Sequence, residues 1–161
     1  ALLMNRVHLE PGDAVYMHPG TMHAHMSGTA IEVMASSDNV LRGGLTNKHI
    51  AVDELVRVVD FSWGEPTIIS GTQTSPGVWD YPTYCHEFDV WRIEVNDGVP
   101  LQLPESVNAR IALVTRGEIT LRNGTATLPL RQGQSAFLPA QDAQVSATGD
   151  AQVFLTSTGL G

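Results

Sequence analysis

Over residues 6–10, apolar Val7 and Leu9 alternate with Arg6, His8 and Glu10, the two-residue period of a strand with one face turned from water. Pro11-Gly12-Asp13 predicts a turn, and a second strand over 14–18 runs up to Pro19-Gly20. A third is predicted over 29–34, with Ile31 and Val33 on one face and Ala30, Glu32 and Met34 on the other. The period then changes. Val52, Leu55, Val56 and Val59 fall at i, i+3, i+4 and i+7, one face of a two-turn helix. A stretch rich in Gly, Pro, Ser and Thr around the apolar pair Ile68-Ile69 follows, and it predicts two units, 1–62 and 63–161.

Strand patterns return at 90–95, 109–115, 118–122, 136–138 and 152–156, enough for a small closed barrel without a helix. Asn123-Gly124 supplies the positive φ values of a type I′ hairpin between two of them. Charged residues are only 16% of the chain, and nine prolines and fifteen glycines punctuate short apolar runs, so the chain reads as mostly β with one short helix.

The net charge of −8, with Lys and Arg dispersed, leaves no basic stripe for a nucleic acid, although one or two local cations suffice for a small anion. Cys85 is the single cysteine; it excludes an internal disulfide and fits a packed thiol in a reducing compartment. No apolar stretch approaches the roughly 20 residues of a membrane span, and no leader pattern opens the chain, so a cytoplasmic protein without a membrane partner is expected. Leu2, Leu3 and Met4 run straight into the first strand pattern, which reads as a piece of something longer.

Gly12, seven residues, Gly20, two residues and His23 resemble the second cupin motif, whose glycines permit tight strand turns and whose histidine projects into a barrel. Gly133, five residues and Pro139 match the same motif again, but Gln141 and Gln144 stand where it has glycine and histidine. Neutral amides are weak ligands beside imidazole, so the second unit is expected to carry no metal.

After His23 come His25 and the run Ala30-Ile31-Glu32-Val33-Met34-Ala35-Ser36-Ser37-Asp38-Asn39-Val40-Leu41-Arg42-Gly43-Gly44-Leu45-Thr46-Asn47-Lys48. It closely resembles the signature of the type I mannose-6-phosphate isomerases. The resemblance covers most of the chain and thins toward its C-terminus. It implies a double cupin of jelly-roll barrels: 1–62 as the C-terminal part of a metal-bearing catalytic cupin, incomplete here, and 63–161 as a degenerate cupin without ligands. It makes His23 one of four zinc ligands, with a glutamine, a histidine and a glutamate expected from the N-terminal part of the same enzyme. It also implies Glu32, Arg42 and Lys48 as catalytic residues, with Lys48 and His25 binding substrate.

Taken alone, each residue has a plainer reading. His23 could be a hydrogen-bonded structural histidine, as His18 is read. Glu32 could face solvent from its strand, although it shares a face with Ala30 and Met34, where a buried charge would need metal or Arg42 as partner. Arg42 could bridge to Asp38 beside a loop whose two glycines let backbone approach a ligand. Lys48 could be solvated surface near a helix start, where a cation gains nothing from the dipole. The family usually has tyrosine at position 25, alanine at 43 and proline at 47. His25 matters most, because an imidazole could compete for metal or alter acid–base roles.

Family members interconvert mannose 6-phosphate and fructose 6-phosphate through a cis-enediol, which needs a base, a cation near the developing oxyanion and a grip on the phosphate. With one ligand counted, the chain alone is expected neither to bind zinc tightly nor to turn over substrate. Rival readings are a non-catalytic sugar-phosphate-binding module and a structural cupin that mediates assembly through Phe61, Trp63, Trp79 and Tyr81.

Overall fold

Packing divides the chain into two units, Ala1–Ile68 and Ile69–Gly161. The structure, a computed structural model, describes residues 4–37, 40–44, 46–62, 64–96, 98–142 and 144–159.

In the first unit, described residues form one strand, β1 (Asp13–Val15), and one helix, α1 (Val52–Val58). The helix starts and stops where its period predicts. Asp53 and Glu54 lie in its first turn and Arg57 in its last, each the sign its helix end favours. Arg57 also donates to Glu54 at 2.9 Å, and the Val59 N–H closes on the Leu55 carbonyl at 2.9 Å. The apolar stripe is nevertheless only half covered: Leu55 and Val59 are partly buried, whereas Val52 and Val56 are each 59% exposed.

No described residue of this unit is buried, so it has no core of its own. That explains where the alternation fails as a predictor. Residues 6–10 and 29–34 are irregular and the second predicted strand shrinks to β1, although Ile31 and Val33 remain less exposed than Glu32 and Met34. Alternation marks a face; a strand also needs a neighbour to complete its ladder. The turns are as expected. Asp13 N–H meets the Glu10 carbonyl at 2.9 Å with Gly12 at φ 100°, and Thr21 N–H meets that of His18 at 3.1 Å with Gly20 at φ 86°.

β2 (Ile68–Ser70) lies where one unit gives way to the other. The second unit continues with β3 (Thr72–Ser75), β4 (Val78–Tyr81), β5 (Asp89–Val95), β6 (Leu101–Gln102), β7 (Arg110–Asn123), β8 (Ala126–Arg131), β9 (Ser135–Leu138) and β10 (Ser146–Ser157). Among the described residues these eight form one antiparallel sheet in the order β3-β4-β5-β10-β7-β8, with β6 added on β10 and β9 on β7.

β7 and β10 pair along nearly their whole lengths, from Arg110 opposite Ser157 to Arg122 opposite Ser146. Their flanking strands change midway. β5 and β9 cover one half of the pair, and β6 and β8 the other. The register slips between Gln152 and Val153, beside Gly117 at φ 73° and close to Gly149 at φ 135°. A Cβ on Gly117 would run into the Asp150 carbonyl oxygen, and one on Gly149 into that of Glu118. These glycines let the two long strands cross closely where the sheet folds over, giving the two layers of a β-sandwich. Between the layers lie Ile93, Val114, Leu121, Val145, Val153 and Leu155, each no more than 3% exposed.

Two sequence expectations shift. The strands predicted at 109–115 and 118–122 are one continuous β7, bridged by Gly117. The predicted hairpin forms, but Asn123 pairs with Ala126, so the two loop residues are Gly124 and Thr125, one position later than expected. Gly124 takes φ 56°, the conformation a tight hairpin assigns to glycine.

Candidate metal centre

The turn at Pro19-Gly20 sends the chain back along an extended path, and Gly20 is held against the end of α1. Its carbonyl accepts the Asp60 N–H at 3.0 Å, and a Cβ on it would lie 2.9 Å from the Val58 oxygen. His23 and His25, two residues apart on this path, meet edge to face with ring centroids 5.9 Å apart and planes at 82°. A backbone with that spacing turns both side chains to one side. Glu32 reaches the same place from the later segment. One donor atom from each of His23, His25 and Glu32 lies within 4.8 Å of the others.

Three atoms spaced no more than 4.8 Å apart share a point within about 2.8 Å of each, against zinc bonds of about 2.0–2.2 Å to nitrogen and oxygen. Shifts of under about 1 Å would close the site. The donor chemistry fits as well, since two imidazoles and a carboxylate suit a borderline divalent ion. His23 Nδ1 lies 3.4 Å from the Thr21 carbonyl, a long contact. All three residues are exposed, so the site opens to water and to ligand. Glu32 is thus exposed, as the alternation alone favours, and not the buried charge that its sharing a face with Ala30 and Met34 allowed; it is accompanied by imidazoles.

Arg42 and Lys48, the other expected site residues, are exposed, and among the described residues neither is hydrogen-bonded or ion-paired to the three donors. Asp38, the proposed bridging partner of Arg42, lies outside the described residues. Gly44 takes φ 147°, but the space beside Gly43 is occupied by the end of the Met22 side chain and is not left open for a ligand. That contact sets the Arg42 loop beside the segment carrying His23. Lys48 precedes α1, and its N–H bonds to Thr46 Oγ1 at 3.1 Å.

In the second unit Gln141 and Gln144 are exposed. Among the described residues the grouping of three metal-capable side chains is in the first unit. The second unit carries instead a polar network on the outer face of β5. Glu94 accepts from Arg116 at 3.0 Å and from Gln152 at 2.8 Å, and Thr115 donates to Gln152 at 2.9 Å. Arg92 stacks over Trp79 with its guanidinium carbon 4.5 Å from the ring centroid. Of the aromatics considered for assembly, Phe61 is 76% exposed, Trp79 is partly covered and Tyr81 is buried, while Trp63 lies outside the described residues. Cys85 is a free, partly buried thiol, and among the described residues no helix is long and apolar enough to cross a membrane.

His25, expected to bind substrate, has a donor atom close to those of His23 and Glu32. Its signal was the His-x-His spacing; the convergence of Glu32 needed the fold.

A family model for the mannose-6-phosphate isomerase cupin domain matches residues 78–158. The chain is 35% identical over 153 residues to mannose-6-phosphate isomerase 2 of Arabidopsis thaliana, covering 95% of this chain and 34% of that protein. It is 38% identical over 156 residues to the mannose-6-phosphate isomerase of Salmonella typhimurium, covering 92% and 38%. The chain therefore spans about a third of the length of the curated relatives it matches. The crystal structure of the Salmonella typhimurium enzyme bound to its substrate fructose 6-phosphate and zinc matches with a TM-score of 0.66 and 31% identity, over 79% of this chain and 32% of that one. Structures of that enzyme in which a histidine, a glutamate or an arginine is replaced by alanine match it similarly.

Proposed function

The chain belongs to the mannose-6-phosphate isomerase family, and we propose that it is the C-terminal portion of a cytoplasmic, zinc-dependent enzyme interconverting mannose 6-phosphate and fructose 6-phosphate. The observation that carries this reading is the convergence of His23 with Glu32, on a segment packed beside the Arg42 loop. In the Salmonella typhimurium enzyme, the histidine, glutamate and arginine chosen for replacement follow one another at the separations of His23, Glu32 and Arg42 here. The free thiol of Cys85 suits a reducing compartment.

On this reading Lys48 meets the phosphate and His25 a sugar hydroxyl. Glu32 takes the proton from C2 of the aldose and returns it to C1, while a hydroxyl proton passes from O2 to O1. Arg42 faces the oxygen on which negative charge develops in the cis-enediol, where a preorganised cation counts most. A zinc ion held partly by His23 supplies Lewis-acid polarisation of the sugar oxygens. The remaining ligands come from the N-terminal part of the same enzyme, which also covers the apolar stripe of α1. Residues 1–62 then complete the catalytic cupin, and 63–161 form a second cupin kept for packing.

The test is isomerase activity, measured on this chain and on the longest polypeptide its source encodes around it. Activity confined to the longer form is expected. Absence from both would overturn the isomerase reading in favour of a sugar-phosphate-binding module.

A further inference from the structure

The second unit's copy of the cupin motif has no part in the isomerase reading, and neither has the charge buried in that unit. Gln141 and Gln144, where the motif has glycine and histidine, are both exposed. The side chain that meets this stretch from within is Arg110. It opens β7 on the inward face shared with Ala112 and Val114, and only 1% of it is exposed. Its Nη2 donates to the carbonyl of Asp142, between the two glutamines, and its Nη1 to that of Pro104 at 2.6 Å. We infer that Arg110 is a resident cation that ties the motif stretch 139–144 to the loop at 104–106, as a bound ion ties its ligands, and closes that end of the second sandwich to ligands.

A buried charge is costly unless it is hydrogen-bonded and paired. Burial lowers the pKa of Arg110, and the carboxylates of Glu105 and Asp142 oppose that pull. A guanidinium stays charged at any physiological pH, and its planar fork can hold carbonyls of two loops at once. The neighbouring bonds fix the same end. The Leu103 N–H meets the Val145 carbonyl at 2.9 Å, which sets the two loops side by side, and Ser106 Oγ meets Ser157 Oγ at 2.6 Å. The Asp142 carboxylate accepts from Asn123 at 2.6 Å, so one loop residue is bonded to both ends of β7. A surface cavity of about 430 Å³ between these loops is lined by Glu105, Ser106, Val107 and Ala140. Arg110 is not among its described lining residues, which leaves the cation out of a ligand's reach. The inference concerns the second unit alone and does not depend on the isomerase reading.

The experiment follows thermal unfolding of the β-rich second unit by far-UV circular dichroism, in the 161-residue chain carrying Arg110→Met, Arg110→Lys or Arg110→Ala. Methionine keeps an apolar stem without the charge, and it should melt at least about 10 °C lower than the parent, because two buried carbonyls lose their donor. Lysine should recover part of that loss. Millimolar guanidinium, far below the concentrations that unfold proteins, should raise the melt of Arg110→Ala by entering the vacated space. Urea, planar like guanidinium but neutral, should not. Neither solute should move the parent or Arg110→Met, in which the space is filled. If Arg110→Ala does not fold unaided, the same two solutes are compared by its recovery on refolding. Arg110→Met melting at or above the parent would show that packing alone suffices and would overturn the inference. Rescue of Arg110→Ala by urea as well as by guanidinium, or by neither, would overturn it too.

Discussion

The terminal methyl of Met22 occupies the space where a side chain at position 43 would begin, so Gly43 is covered by a thioether. Met22 precedes His23 and Gly43 follows Arg42; one apolar contact thus couples the loop bearing the expected cation to the segment bearing the expected ligand. The atom in the way is the far end of a flexible side chain, which can move aside. Gly43→Ala should therefore change stability by no more than about 0.5 kcal/mol. Urea unfolding of the two proteins side by side would check it, and a larger loss would mean that Met22 is pinned.

Gly117 presents the opposite case. Its φ is 73°, and the atom a Cβ would strike is the Asp150 carbonyl oxygen, which belongs to the paired strand and cannot rotate away. Gly117→Ala should cost more than about 2 kcal/mol, combining left-handed strain with displacement of the β7–β10 ladder. At that size the melting temperature of the second unit should fall by roughly 10 °C. Gly124→Ala is the control, because φ is 56° there but nothing lies within 4 Å of the added carbon. Only the strain, about 1 kcal/mol, should remain.

The contrast between the units shows what a sequence can convey. In the second unit the strands alternate and their partners lie in the same chain, so the patterns at 90–95, 136–138 and 152–156 fall inside β5, β9 and β10. The first unit alternates almost as well over 6–10 and 29–34, yet no ladder forms there among the described residues. Periodicity records which side of a segment avoids water and is silent on what lies beside it. Arg110 shows a further limit. It shares the inward face of β7 with Ala112 and Val114 and is 1% exposed, donating to the carbonyls of Pro104 and Asp142. A charge on a core face is visible in the sequence, but its partners come from loops whose paths only the fold determines. The metal-capable side chains divide in the same way, with His23 and His25 paired by spacing and Glu32 added by folding.

Asp80, in β4, has its pKa raised, first by burial and then by the neighbouring carboxylate of Asp89. A carboxyl with a folded pKa above its unfolded value binds protons more tightly when folded. Its contribution to stability is whole below the unfolded value of about 3.9 and is lost as pH rises through the folded value. The second unit should thus lose stability between those two points. Asp80→Asn should flatten that part of the pH profile and melt higher than the parent at neutral pH. Thermal melts at a series of pH values would decide, and a variant less stable at pH 7 would show that the charged form makes a bond worth keeping.

His23 and Arg42 should fail in different ways when each is replaced in the longest polypeptide encoded around this chain. His23 offers an imidazole to the metal-capable cluster, so His23→Ala should lose metal and activity together. Arg42 is exposed on its loop and forms no bond to the three donors among the described residues, so its removal should not disturb the ion. Its proposed task is to face charge that develops only on the way to the enediol. Arg42→Ala should then lower kcat by about 10²–10³, the usual loss for one preorganised group at a developing oxyanion, with zinc content unchanged. Atomic absorption and steady-state kinetics on the same preparations separate the two outcomes. Equal loss of zinc in both variants would make Arg42 a support for the ligands, whereas full activity in both would move the reaction away from this cluster.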